Sequence, residues 1–292
     1  MTPDLEAAEV LLAVDELGSI GRAAERLGIT QPAASARLRS LETRWGLTLV
    51  ERSARGSRLT ADGRAAAGWA AAVMEQVEAM TAGLHALRRG HDRDVWIAAS
   101  LTVAGFFVPA WLSELRTRRP DAAPHLDVVN STNVIDRVRR GEADLGFIET
   151  ADLPTDLATR RVGIDALAVV AAPGHRWAET ERPVTAADLA AEPLVLREPG
   201  SGTRRTFDAT LGMTPTVALE AGSTASLIGA AQAGIGPAVV SRRAVRGHLD
   251  RGELVEIATD LDLRRPLTVL WSWDRRLSAT AEALLLIATG KT

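Results

Sequence analysis

The segment from Ser19 to Thr60 restricts the possible folds of this chain more than any other. Ser19 is a residue type that accepts hydrogen bonds from the free N–H groups of a first helical turn, and the residues after it place Ala23, Ala24 and Leu27 on one apolar face. Gly28 supplies the backbone freedom for a sharp corner. A second helix starts at once. Gln31 and Pro32 suit its first turn, where proline lacks only a donor that the helix leaves unpaired. Along it Ala34, Leu38 and Leu41 point inward, which leaves Gln31, Ala33, Ser35, Arg37 and Arg39 to face outward. Two short helices joined by a tight glycine corner lay the second helix in a DNA major groove.

Between Arg37 and Arg58 six arginines stand against two glutamates, inside a chain whose formal net charge is −3. Arg52, Arg55 and Arg58 fall at three-residue spacing around Gly56, as the tip of a small basic hairpin would. Alone, such a run is an ordinary solvated face. Behind a turn-bounded helix pair it reads as a wing that reaches phosphates or the minor groove. The expected partner is double-stranded DNA, contacted by Ser19, Gln31, Pro32, Ser35, Arg37, Arg39, Arg52, Arg55, Arg58 and Thr60.

The residues from Gly18 to Gly63 also carry a family resemblance. Gly-Ser-Ile-Gly-Arg-Ala-Ala-Glu-Arg-Leu from Gly18, Thr-Gln-Pro-Ala-Ala-Ser from Thr30, Leu-Arg-Ser-Leu-Glu from Leu38, Leu-Val-Glu-Arg from Leu49 and Arg-Leu-Thr-Ala-Asp-Gly from Arg58 together resemble the LysR-type transcriptional regulators. Val50 stands where that family usually has phenylalanine, and Ala36 where it often has a polar residue.

With 292 residues the chain is long enough for two or three units with their own cores. It has no cysteine, which excludes disulfides, thiolate catalysis and cysteine metal sites. Its five histidines (85, 91, 125, 175 and 248) show no ligand spacing, so neither a metal nor a cofactor is expected. The first twenty residues carry Asp4, Glu6, Glu9, Asp15 and Glu16, whereas a secretory signal needs a positive start and then an apolar run. No apolar stretch has the length to cross a bilayer, and a cytoplasmic protein is expected.

From Ala61 to Gly90 the pattern is one long helix. Ala66, Trp69, Val73, Val77, Met80, Leu84 and Leu87 recur at steps of three and four residues, a coiled-coil-like seam. It reads equally as a helix lying on its own domain. In the LysR family the corresponding helix dimerises, so the resemblance implies a dimer through Trp69, Val73, Val77, Met80, Leu84 and Leu87.

After Arg88 strands and helices alternate. Strands are expected at Val95 to Ala99, Leu126 to Val129, Leu145 to Ile148, Ala166 to Ala171, Leu194 to Leu196 and Val217 to Leu219. Helices are expected at Gly105 to Arg118, Asn133 to Arg140, Thr203 to Leu211, Thr224 to Ala233 and Ala279 to Ala288. Alternation of this kind argues an α/β domain with mostly parallel strands. Two such halves in tandem suggest two lobes with a cleft between them. The resemblance implies a periplasmic-binding-protein-like effector domain whose chain crosses twice, near Arg161-Val162 and near Arg265 to Leu267. The expected organisation is α/β overall: a winged helix-turn-helix over residues 1–60, a linker helix over 61–90 and an effector domain over 91–292. Its first lobe takes 91–161 and 267–292, and its second 162–266.

In open α/β sheets ligands sit beyond the carboxyl ends of strands, where helix N-termini present free N–H groups. Four such junctions carry small hydroxyl residues: Ser100-Leu101-Thr102, Asn130-Ser131-Thr132, Ser201-Gly202-Thr203-Arg204 and Ser223-Thr224. Each reads singly as a helix cap. Four converging across two lobes suit an effector, and Arg204 beside Gly200 and Gly202 suits an anion such as a carboxylate, a phosphate or a sulfur oxyanion. Arg-Glu-Pro-Gly-Ser-Gly-Thr-Arg from Arg197, with Gly-Phe-Ile-Glu from Gly146, is most similar to the branch of the family with the CbbR- and CysL-type regulators. Glu149 and Gly234 join the expected effector site through that resemblance.

On this reading dimers, paired into tetramers, bind an inverted repeat whose half-sites lie about 34 Å apart. A small anionic metabolite between the lobes shifts the DNA-binding heads and so the access of RNA polymerase. A transport-type solute-binding protein would need an export signal and no front helices. An enzyme is not expected either, because Ser201 has no histidine in a recognisable nucleophile–base arrangement near it in sequence.

Overall fold

The computed structural model describes residues 4–53, 56–88 and 93–290. Arg55 lies outside the described residues, as do the side chains of Arg52, Leu84 and Leu87. The chain folds as two compact units, Met1–Leu84 and His85–Thr292.

The first unit holds helices α1 (Leu5–Leu17), α2 (Ile20–Arg26) and α3 (Gln31–Trp45), the hairpin β1 (Val50–Ser53) and β2 (Gly56–Leu59), and most of helix α4 (Ala61–Arg88). Its start and stop signals are local. Asp4 accepts hydrogen bonds from the backbone N–H of Glu6 and Ala7, Ser19 from Arg22 and Thr30 from Ala33. Gly18, Gly28 and Gly46 turn the chain with φ of 65°, 66° and 65°. Val10, Leu11, Val14, Ile20, Ala23, Ala34, Leu38, Leu49 and Leu59 form the core. Val50 is buried there as well.

Side chains fix the wing to this core. Glu42 on α3 accepts from the backbone N–H of Leu49 (2.8 Å) and Val50 (3.1 Å). Ser57 donates its backbone N–H to Gly18 O, and a Cβ added at Gly56 would meet that oxygen at 2.8 Å, so the hairpin sits directly against the α1–α2 turn.

The second unit is a mixed sheet in the order β4-β3-β5-β11-β6-β9-β7-β8, with β10 beside β6. Its first lobe contains β3 (Asp94–Ala99), α5 (Leu101–Phe106), α6 (Val108–Arg118), β4 (Ala123–Val128), α7 (Ser131–Arg139) and β5 (Leu145–Ile148). Strand β6 (Ala158–Ala171) leads into the second lobe, which holds α8 (Ala186–Ala191), β7 (Leu194–Arg197), α9 (Gly202–Leu211), β8 (Val217–Ala221), α10 (Thr224–Gln232), β9 (Ala238–Ser241), α11 (Arg242–Asp250) and β10 (Val255–Ile257). Strand β11 (Arg264–Trp271) returns to the first lobe, where α12 (Ala279–Ala288) ends the fold. Strands β4, β3 and β5 run parallel, as do β8, β7 and β9. Between them β11 is antiparallel to both β5 and β6. Separate apolar clusters fill the two lobes, one around Phe147, Ile97 and Leu284, another around Phe207, Leu189 and Val239.

Two elements differ from the sequence expectation. The helix expected over Gly105 to Arg118 breaks at Phe107, because Pro109 in the first turn of α6 neither donates a hydrogen bond nor tolerates the carbonyl of a preceding turn. The strand expected over Ala166 to Ala171 is the end of a continuous 14-residue strand. The lobe crossing is therefore not a pair of loose linkers. It is the antiparallel ribbon β6–β11, with a register shift between Leu267 and Thr268.

Candidate functional site

In the first unit, α3 exposes Gln31, Pro32, Ala36 and Arg39, and the hairpin exposes Arg58. Arg37 is half-buried and pairs with Glu6. Ser35 was expected to face outward and does not: it is buried. At 100° per residue it stands about 60° from Leu38, on the flank of the buried stripe. Ser19 and Thr60 act as caps, Ser19 for α2 and Thr60 through an acceptor bond from Gly63 N (2.9 Å). Thr60 also donates to Thr48 O at 2.7 Å. The outward face of α3 is thus built of Gln31, Pro32, Ala36 and Arg39, a mix of amide, small apolar and cationic groups.

Along α4, Trp69, Val73 and Met80 are exposed, and Val77 is half-buried. Trp69 and Val73 line an apolar cavity of about 290 Å³ with Leu5, Leu11, Trp45 and Leu47.

In the second unit, the carboxyl ends of β3 and β7 bring two of the four hydroxyl junctions together around one arginine that the sequence reading assigned only to the lobe crossing, and the carboxyl end of β5 adds Glu149. Arg265 is completely buried. Its Nη2 donates to Thr102 Oγ1 (3.1 Å) in the first lobe and its Nη1 to Thr203 Oγ1 (2.9 Å) in the second. Asp165 accepts from both Nε (3.0 Å) and Nη2 (2.7 Å), and Ser241 Oγ donates to the same carboxylate at 3.1 Å. Glu149 lies 3.6 Å from Nη1 and accepts a short bond from Ser100 Oγ. Burial pushes the Glu149 carboxyl up, and Asp165 adds to that, while Arg265, Arg197 and a bond from Thr102 oppose it.

The hydroxyls divide in their use. Asn130 caps α7 through Asn133 N (3.0 Å). Ser100 and Ser201 occupy cap positions of α5 and α9 yet make no side-chain cap bond. Ser131 Oγ and Ser201 Oγ are buried without a hydrogen-bond partner. They face a tight seam. A Cβ added at Gly202 would meet Glu149 O at 2.6 Å and Ser131 Oγ at 2.7 Å, and Thr132 N donates to Gly200 O (3.2 Å) across the lobes. Leu101 is half-buried at the start of α5.

Four expected site residues lie elsewhere in their interactions. Arg204 bonds Asp208 (2.8 Å) and Arg197 O (3.2 Å) and reaches Glu220 (3.5 Å), so its charge is committed to carboxylates beside β8. Ser223 bonds Ser226 N and Oγ, and with Thr224 stays within the first turn of α10; no hydrogen bond joins it to the other junctions among the described residues. Gly234, with φ of 75°, precedes β9, and the neighbouring Gly236 approaches Pro193 O just before β7. Since β9 and β7 are parallel, that loop lies at the amino end of the strands, opposite the hydroxyl cluster.

Arg265 and Asp165 had a readable signal. Alternation along β11 puts Arg265 on the side of Leu263 and Leu267, and along β6 puts Asp165 with Leu167 and Val169, all buried. A charged residue on a buried strand face requires a partner.

Comparison with known proteins gives a consistent picture. A family model described as bacterial regulatory helix-turn-helix protein, lysR family, matches residues 5–64, and one described as LysR substrate binding domain matches residues 88–290. An uncharacterized HTH-type transcriptional regulator of Mycobacterium tuberculosis is 42% identical over 293 residues, covering 96% of this chain and 94% of the relative. The uncharacterized regulator YeiE of Escherichia coli is 32% identical over 283 residues, with coverage of 96% and 94%. Among solved structures, the regulatory domain of Synechocystis CcmR in complex with 2-PG aligns with a TM-score of 0.61 at 24% identity, over 68% of this chain and 96% of that one.

Proposed function

The chain belongs to the LysR family of bacterial helix-turn-helix transcriptional regulators, and we propose that its effector is a small oxyanion received at the hydroxyl cluster between its two lobes. The observation that carries this reading is the pair of buried, unpartnered hydroxyls, Ser131 Oγ and Ser201 Oγ, at the start of α7 and α9. A buried hydroxyl without a partner costs about 1–3 kcal/mol. Ser201 also leaves the first-turn N–H groups of α9 without a side-chain cap. Two hydroxyl donors beside an uncapped helix start suit a carboxylate, phosphate or sulfur oxyanion. Arg265 borders the site with its charge balanced by Asp165, and Thr102, Thr203 and Glu149 hold the guanidinium in place.

The seam between the lobes is closed, so an effector enters only when the lobes part. An oxyanion then shifts the DNA-binding state to the extent that it binds one lobe arrangement better than the other. The DNA face consists of Gln31, Pro32, Ala36 and Arg39 on α3 with Arg58 on the wing, and Arg37 behind them holds α3 to Glu6 of α1. The exposed Trp69, Val73 and Met80 support a homodimer in which a second copy covers this side of α4 and the adjoining apolar cavity. Such a dimer meets successive major grooves and requires an inverted repeat.

The test is thermal denaturation with sulfate, phosphate and glyoxylate in turn. The reading requires a saturable rise in melting temperature with at least one of them, weakened in Ser131→Ala and Ser201→Ala. Equal rises in wild type and both variants contradict it.

A further inference from the structure

A second cavity, of about 570 Å³, lies on the α11 side of the β6–β11 ribbon, and its lining is dominated by Arg242, Arg243, Arg246 and Arg264. We infer that this cavity is a second anion site, distinct from the hydroxyl cluster and suited to a small polyanion carrying two adjacent anionic groups.

The charges support this division. The cavity's acidic residues are Asp165, Asp250 and Glu256. Glu256 is taken by Arg242 at 2.9 Å. Asp165 is buried and directs Oδ2 to Arg265, with Oδ1 3.9 Å from Arg243. Arg264 lies on Asp262, which is outside the cavity lining. Arg246 has no ion-pair partner among the described residues, and Arg243 rests over the Phe107 ring at 4.7 Å from its centroid. Arg243 and Arg246 stand three residues apart on α11, hence on one helix face. Arg264 approaches from the start of β11. Three guanidinium groups from two elements therefore border one cavity, and all three residues are exposed. One anionic group is met by the α11 pair, and the second meets Arg264 in competition with Asp262, whose carboxylate holds its Nε (2.8 Å) and Nη2 (2.7 Å).

The cavity backs on to the effector cluster through one residue. Asp165 is the partition: one carboxylate oxygen holds Arg265 and the other turns toward Arg243. An anion at Arg243 competes with Asp165 for that guanidinium.

The experiment is calorimetric titration of the full chain with inorganic pyrophosphate at constant salt. Wild type is compared with Arg246→Ala/Arg264→Ala, with the milder Arg246→Gln, and with Ser131→Ala/Ser201→Ala. Saturable binding is expected, weakened about tenfold or more in the arginine double variant, weakened to a lesser degree in Arg246→Gln, and retained in the serine variant. Absence of saturable binding overturns the inference. So does equal affinity in wild type and both arginine variants, which places pyrophosphate elsewhere on the chain. Loss of binding in the serine variant alone also overturns it, and leaves the oxyanion reading of the hydroxyl cluster standing.

Discussion

Arg265 and Asp165 are register partners on the two strands that cross between the lobes, and their side chains meet at 2.7 Å with almost no exposure to solvent. The residues are 100 positions apart in sequence. Their pairing fixes the Arg265 guanidinium where the ribbon passes from one lobe to the other. From there the guanidinium reaches Thr102 on one side and Thr203 on the other. A single side chain thus links the crossing strands to the first turns of α5 and α9.

Removing one member of this pair leaves the other charged and buried. Arg265→Met is expected to lower stability by about 3–5 kcal/mol, read from the urea midpoint at unchanged slope. The double variant Arg265→Met/Asp165→Asn should recover part of that loss. A double variant that loses the sum of the two single changes would show that the residues act independently.

Glu149 makes stability depend on pH in a defined direction. Its carboxyl is raised by burial from an ordinary value of 4.5. A carboxyl that protonates more readily when folded adds stability below its unfolded value, and that contribution is lost as pH rises through the folded value. Glu149→Gln removes the ionisation, so its stability relative to wild type should increase as pH rises above the ordinary carboxyl range. The carboxylates of Glu253 and Asp262, each held down to about 2 by a neighbouring arginine, act at lower pH and in the opposite sense. A difference between variant and wild type that stays constant over the range would contradict the assignment.

On the proposed DNA face, Arg39 and Arg58 are exposed cations on α3 and on the wing. Arg39→Ala and Arg58→Ala should each weaken DNA binding and reduce the slope of log affinity against log salt by about 1. Fluorescence anisotropy at several salt concentrations measures both effects. Slopes equal to wild type in both variants would remove these residues from the phosphate contacts.

Trp69 is 73% exposed on α4. An exposed tryptophan beside an apolar cavity is a strong candidate for an interface anchor. Trp69→Glu should weaken self-association about tenfold or more, seen by sedimentation velocity as a shift toward monomer. Sedimentation identical to wild type would take Trp69 out of the interface.

The parts of this architecture legible in the sequence are those set by near neighbours. Ser19, Gly28, Thr30 and Pro32 mark helix ends by local chemistry, and the α2–α3 corner follows from them. Helix α12 and strands β3, β5 and β7 were readable from periodicity alone. The glycine-rich surroundings of Arg204 resemble an anion loop, whereas its pairing with Asp208 one helical turn on depends on the helix being recognised. Gly234 could not be placed without the strand order, since the same turn chemistry serves either end of a sheet. Helices α1, α8 and α11 and strands β9, β10 and β11 have no counterpart among the elements expected from the sequence. Arg265 required the buried period of β11 to be recognised first, and its partner Asp165 is joined to it only by the fold.

Calorimetric titration of sulfate, phosphate and glyoxylate into wild type and into Ser131→Ala/Ser201→Ala tests the oxyanion reading most directly. The account predicts saturable binding of at least one of these anions to wild type and an affinity reduced about tenfold or more in the serine variant, with a thermal stability in the absence of anion that is no lower than that of wild type. Anion binding of equal strength in the two proteins would contradict it, as would a failure of all three anions to bind wild type.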